Sequence, residues 1–187
     1  MADAIYGRRL RERPLMAARG LPTAYGVAYG VAAAVLIGLV LAGPTLYLVD
    51  LPAWVYSGAL LRAELADAAV TPWHLARAPV PNTLATLLPA LVLGALGPEA
   101  TGRALAAALL AAGFAAAWAL GRATEPDAPA DAAARAAVAA SCLVASASFW
   151  NGYLGFQIGV VLAIAIAARW RACGGLSPPG VFAASVA

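Results

Sequence analysis

The sequence predicts an all-α fold, a polytopic transmembrane helical bundle with a juxtamembrane helix on its outer face. Three observations carry this. Of 187 residues, 63% are hydrophobic and only 11% charged, with a mean hydropathy of +0.82; a soluble domain carries about 25% charged residues. Several uncharged runs approach or exceed the ~20 residues that cross a bilayer at ~1.5 Å each. The net charge of +3 rests on arginine alone, with no lysine in the chain. These arginines are spread out, so they form no basic patch for nucleic acid and matter chiefly for topology.

The first element follows an arginine-rich start, with Arg8, Arg9, Arg11, Arg13 and Arg19. Such a start resembles a signal-peptide n-region, but the apolar run behind it exceeds the roughly 7–15 residues of an h-region. Residues 1–23 therefore read as a cytoplasmic segment before a retained span over 24–49, with a cleavage site near Ala42-Gly43 as the alternative. Asp50 ends a stretch from Gly20 to Val49 without a single ionisable Asp, Glu, Lys, Arg or His. Pro52 suits the first turn of a helix with Asp50 near its cap, which predicts a short helix through about Ala66. Tyr47, Trp54 and Tyr56 sit where an aromatic belt belongs. Ala78-Pro79-Val80-Pro81-Asn82 is extended, because each proline disfavours helix in the residue before it.

The next apolar stretch, 82–97, spans only ~24 Å as a helix, short of a ~30 Å hydrocarbon core. On a helix Thr83, Thr86, Ala90, Gly94 and Gly97 share one face, and Leu84, Leu87, Leu88 and Leu91 another. That sidedness fits an interfacial helix packed on others; a short Pro89-kinked span is the alternative. Spans follow over 103–121, 132–150 and 156–168, separated by the polar loop Arg122 to Pro129 and by a turn within Ser146 to Gln157. Arginine placement separates the two topologies. If 82–97 crosses, the arginines divide evenly between the two sides. If it stays outside, only Arg62, Arg77 and Arg103 are external, and the positive-inside rule prefers this four-span layout in the cytoplasmic membrane. The N-terminus is then cytoplasmic, 50–102 is a long outer loop, and residues beyond about 178 start a return span. Cys142 and Cys173 suggest neither a disulfide framework nor a metal site.

The layout resembles the amino-terminal part of the GT-C superfamily of membrane glycosyltransferases. The matching features are Val49-Asp50-Leu51-Pro52 at the first span's exit and the Pro79-Val80-Pro81-Asn82 turn. A short apolar helix, Gly97-Pro98-Glu99 and Arg103 follow, and then the Asn151-Gly152-Tyr153-Leu154-Gly155-Phe156-Gln157 turn. The resemblance implies transfer of a sugar from a polyprenyl-phosphate donor to an outer-face acceptor. It also implies Asp50 as catalytic base, since a positioned carboxylate that takes a hydroxyl proton contributes roughly 10²–10⁴-fold. Arg62, Arg77 and Arg103 are the implied donors to the leaving phosphate, with the helix at 82–97 lining a groove for the lipid chain.

His74, the one histidine, is a candidate for proton transfer or phosphate binding, and Asn151 and Gln157 for lining the substrate site. Each has an ordinary alternative: Asp50 as a helix cap, the arginines as snorkelling side chains, Asn151 and Gln157 as turn-stabilising groups, and His74 as a solvent-facing loop residue. Where the superfamily often pairs two acidic residues, Asp50 stands alone, with Glu64 and Asp67 further on. No cofactor is firmly implied; a divalent cation is compatible with the resemblance but unsupported by these residues. The expected partners are a polyprenyl-phosphate-linked sugar, membrane lipid and helices that complete the bundle, with the chain an enzyme or its amino-terminal fragment. The rival readings are a small transporter, against which stands the scarcity of ionisable residues inside the spans, and a non-catalytic membrane subunit.

Overall fold

A computed structural model describes residues 24–43, 48–66, 83–124 and 130–173. The expectations for the 1–23 segment, His74, Arg77, Asp67, Tyr47, the turn at 78–82 and the return span beyond 178 lie outside them. Among the described residues the structure is all-α, with seven helices: α1 (Ala24–Ala42), α2 (Leu51–Leu65), α3 (Thr83–Leu93), α4 (Pro98–Thr124), α5 (Ala130–Val144), α6 (Ala147–Trp150) and α7 (Leu154–Cys173). Four spans are long and apolar enough to cross a membrane: α1, α4, the combined α5–α6 stretch from Ala133 to Trp150, and α7. The molecule is a membrane-embedded helical bundle.

The centre is α4, against which α1, α5 and α7 pack. Its inward face is rich in small residues, among them Gly102, Ala106, Gly113 and Ala117, which let neighbouring backbones approach closely where lipid offers no hydrophobic drive. Leu110 and Phe114 of α4 join Val40, Leu51, Val55, Val144, Phe149 and Ile164 in one core. A polar tie runs through it. The Tyr29 hydroxyl donates to the Phe114 carbonyl at 2.8 Å and lies 2.7 Å from the Ser141 hydroxyl, joining α1, α4 and α5. The Tyr29 ring also meets Phe114 edge-on at 5.8 Å.

Several helix ends differ from the sequence expectation. The first helix stops at Ala42, not near Val49. Gly43 precedes Pro44, a position where helix is disfavoured, and the final carbonyls are taken by Arg103. The second span starts at Pro98, earlier than Arg103, because proline suits the first helical position and Glu99 favours the first turn. Hydropathy marks what lies in lipid, whereas caps mark where the helix begins. At the other end of the chain, α7 runs past Ala168 to Cys173 with Arg171 in its last turn, a favourable place for a cation. The third span is broken, since Ser146 is extended between α5 and α6 with ψ 171°.

Which ends lie together follows from side-chain reach. Arg103, in the second turn of α4, bonds the Gly43 carbonyl at 2.5 Å, just beyond α1. The end of α1 and the start of α4 therefore share one end of the bundle. Neither α2, 15 residues, nor α3, 11 residues, is long enough to cross by itself. Where the sequence marks an apolar stretch at 82–97, α3 itself is shorter, closed by Ala95 and Leu96 amides that bond the Val92 carbonyl at 3.0 and 3.1 Å.

The two short helices run in the same direction. Trp54 of α2 packs on the cluster of Ala85, Leu154 and Ile158; Gly58 then meets Pro89 and Ala90, and Arg62 lies over Gly94. A side chain at Gly58 would place its Cβ 2.7 Å from the Ala90 nitrogen and the Pro89 Cβ, so this crossing requires glycine. On α3 the buried residues are Ala85, Pro89 and Ala90, while Leu84, Leu87 and Leu91 are exposed; of the small face expected from the sequence only Ala90 is buried, and Thr83, Gly94 and Gly97 are exposed.

Candidate functional site

Two turns dock at the shared end. In the first, the Leu51 amide donates to the Leu48 carbonyl at 3.2 Å, and the Asp50 carbonyl accepts from the Ala53 and Trp54 amides at 3.1 and 3.3 Å, starting α2. The second runs from α6 to α7. There the Asn151 amide bonds Ala147 at 2.9 Å, Gly152 bonds Phe149 at 2.8 Å and Tyr153 bonds Ser148 at 3.1 Å. The turns join through a backbone bond, Asp50 N–H to the Asn151 carbonyl at 3.0 Å. Gly152 permits this approach in two ways. Its φ is +75°, in the left-handed region that costs an L-residue roughly 1–2 kcal/mol. A Cβ there would sit 2.8 Å from the Leu51 nitrogen and 3.1 Å from the Asp50 nitrogen.

Asp50 occupies the N-cap position of α2, yet its side chain makes no capping hydrogen bond. Side-chain caps typically have extended backbone, whereas Asp50 has φ −93° and ψ −11°. No described residue pairs with the carboxylate. The backbone of Asp50 is thus fixed on both sides, by Asn151 and by α2, while its carboxylate is left to other uses.

The other sequence candidates fall into distinct roles. Asn151 meets Asp50 through its backbone carbonyl, and the residue itself is exposed. Gln157 is 2% exposed and donates from Nε2 to the Ser146 hydroxyl at 3.3 Å, bracing the second turn from below. Beside it a cavity of ≈ 10 Å³, about the size of one water, is lined by Leu48, Leu51, Phe149, Gly152 and Gln157.

Arg103 is drawn into the fold. Its guanidinium donates to the carbonyls of Gly43, Val40 and Leu41 at 2.5, 3.3 and 3.4 Å, and to Glu99 at 3.0 Å. It thereby satisfies the open end of α1, where the last four carbonyls lack intrahelical partners. Arg62 acts similarly on α3, donating to the Ala90 carbonyl at 3.2 Å. The sequence marks both arginines as cations of the loop, but not that helix ends claim them.

Beside these turns, α2 and the start of α4 enclose a groove of ≈ 470 Å³ lined by Leu51, Val55, Tyr56, Ala59, Leu93 and Gly102, with Glu99 and Arg103 at its edge. The sequence places a groove along the helix at 82–97; of the described part of that helix, only Leu93 lines this one. Glu99 and Gly152 are the site residues that sequence reasoning did not single out. For Gly152 the signal is the Asn-Gly dipeptide, a strong turn marker. Among the described residues, no group of three His, Cys, Asp or Glu is placed to hold a metal ion. Comparison with family models, curated proteins and solved structures gave no match to this chain.

Proposed function

We propose that this chain is a membrane glycosyltransferase, or the amino-terminal part of one, that uses a polyprenyl-phosphate-linked sugar at the outer face of the membrane. One observation carries the reading: among the described residues nothing takes up the Asp50 carboxylate, while its backbone is held between two docked turns. A general base has to be positioned and unoccupied, and a merely structural cap would have its oxygen on an amide of the first turn. In the proposed reaction Asp50 takes the proton of an acceptor hydroxyl. The oxygen attacks the anomeric carbon with inversion, and the bond from that carbon to the phosphate oxygen breaks, its electron pair leaving with the polyprenyl phosphate. Arg77 and His74 of the same loop are assigned to the leaving phosphate, because Arg62 and Arg103 are held on helix carbonyls; Asn151 and Gln157 shape the turn beside the base.

The test is transfer of labelled sugar from a polyprenyl-phosphate donor by the protein in proteoliposomes. Asp50→Asn removes the base with little change in shape and is expected to lower transfer by about a hundredfold or more. Near-normal transfer by this variant would sink the assignment.

A second reading, a non-catalytic subunit, is favoured by α1. Gly30 and Gly38 have nothing within 4 Å of an added Cβ, and faces of this kind pack on partner helices in membranes. Co-purification with a larger enzyme whose activity is indifferent to Asp50→Ala would favour it.

A further inference from the structure

We infer that the groove between α2 and α4 is a binding site for one chain of an ethanolamine phospholipid, with the primary ammonium of its head on Glu99. This inference stands independently of the glycosyltransferase reading. Leu51, Val55, Tyr56, Ala59, Leu93 and Gly102 line a hollow of ≈ 470 Å³, within the ~300–1,000 Å³ of ligand sites. Its depth suits a lipid. As a helix of 27 residues, α4 is ~40 Å long, against ~30 Å of hydrocarbon and ~40–45 Å including headgroups. Centred, it carries its first turn, with Glu99, into the headgroup layer, and Gly102 to the boundary with the chains. The groove thus begins at headgroup level and is apolar where acyl chains start.

Charge selects the head. Arg103 has only 15% of its side chain exposed, turned toward the α1 carbonyls and Glu99. Glu99 is 81% exposed and spends one oxygen, Oε1, on Arg103. The charge presented outward at the groove's edge is therefore a carboxylate, which accepts hydrogen bonds from a primary ammonium and repels an anionic head.

The experiment reconstitutes the full chain in membranes containing equal phosphatidylethanolamine and phosphatidylglycerol with added polyprenyl phosphate. The protein is extracted in mild detergent and its retained lipid measured by mass spectrometry. Ethanolamine lipid is expected to be enriched about tenfold over either anionic lipid, the equivalent of one charge-assisted hydrogen bond. Glu99→Gln, at an exposed position, is expected to remove the enrichment and keep the total retained lipid. Ala59→Trp, which fills the groove from an exposed position, is expected to remove the bound lipid altogether. Should Ala59→Trp lower thermal stability, Ala59→Leu serves instead. Enrichment of phosphatidylglycerol or polyprenyl phosphate, a retained composition equal to the bulk, or enrichment unchanged in Glu99→Gln would each overturn the assignment.

Discussion

The amide of Asp50 donates to the carbonyl of Asn151 at 3.0 Å, a backbone bond between the end of the first span's exit turn and the turn that opens the last span. Two loops far apart in sequence are thereby fixed to each other without either side chain. A carboxylate carried on such a turn keeps its place while remaining available.

That bond depends on Gly152. Gly152→Ala combines a left-handed φ with a Cβ 2.8 Å from the Leu51 nitrogen, and is expected to cost about 2 kcal/mol or more. Gly159, also at a helical position, meets nothing within 4 Å; Gly159→Ala should be neutral or stabilise by about 0.5–1 kcal/mol. Thermal unfolding in one detergent compares the pair, and equal losses would contradict the docking of the turns.

Asp50→Ala should leave the fold intact. A side-chain cap typically contributes ~1 kcal/mol, but this one makes no capping bond, so a change within about 0.5 kcal/mol is expected. A large loss of stability in the same unfolding assay would mean that the carboxylate has a structural partner.

Arg103 should behave in the opposite way. Its guanidinium reaches three carbonyls at the end of α1, and hydrogen bonds from a charged donor contribute about 1.5–3 kcal/mol. Arg103→Ala is expected to destabilise by that order, and Arg103→Lys to recover only part, because one ammonium cannot reproduce the planar fork. Glu99→Ala removes only an exposed ion pair, for which less than about 1 kcal/mol is expected. Chemical unfolding in mixed micelles ranks the three.

Tyr29→Phe keeps the ring packing and removes the bonds to Phe114 and Ser141. Interhelical hydrogen bonds in membranes average ~0.6 kcal/mol and reach about 1.7, so a loss in that range is expected. Ser141→Ala in the Tyr29→Phe background should add little, and a double-mutant cycle measures the coupling.

Topology is open to labelling. In a chain with Cys142 and Cys173 replaced, single cysteines at Ser57 and Asn151 should react with an impermeant maleimide from the same side, and one at Thr124 from the opposite side. The arginine distribution assigns Thr124 to the cytoplasm. Labelling of Ser57 and Asn151 from opposite sides would break the docking of the two turns.

Much of the architecture was legible in the sequence because membrane helices are written in composition. Uninterrupted apolar runs marked the spans, whereas the packed side of 83–93 is Ala85, Pro89 and Ala90, of which the small-residue pattern held only Ala90. The break at Ser146 and the early start at Pro98 were less visible, because helix ends depend on caps that hydropathy ignores. At the site, Asp50 stood out as the first ionisable residue after a long uncharged run. Its availability did not, since a capping and a free carboxylate have the same letter.

The sequence by itself determined that this is a helical membrane protein with four long apolar helices and an ionisable Asp50 just after the first of them. Those properties are local sums over hydrophobicity, helix length and charge. Only the tertiary structure decided which groups the fold consumes. Arg62 and Arg103 are drawn to helix carbonyls and Gln157 to Ser146, while among the described residues Asp50 is held by its backbone alone. Such assignments depend on which distant turn comes within hydrogen-bonding reach, and that is settled by packing around α4.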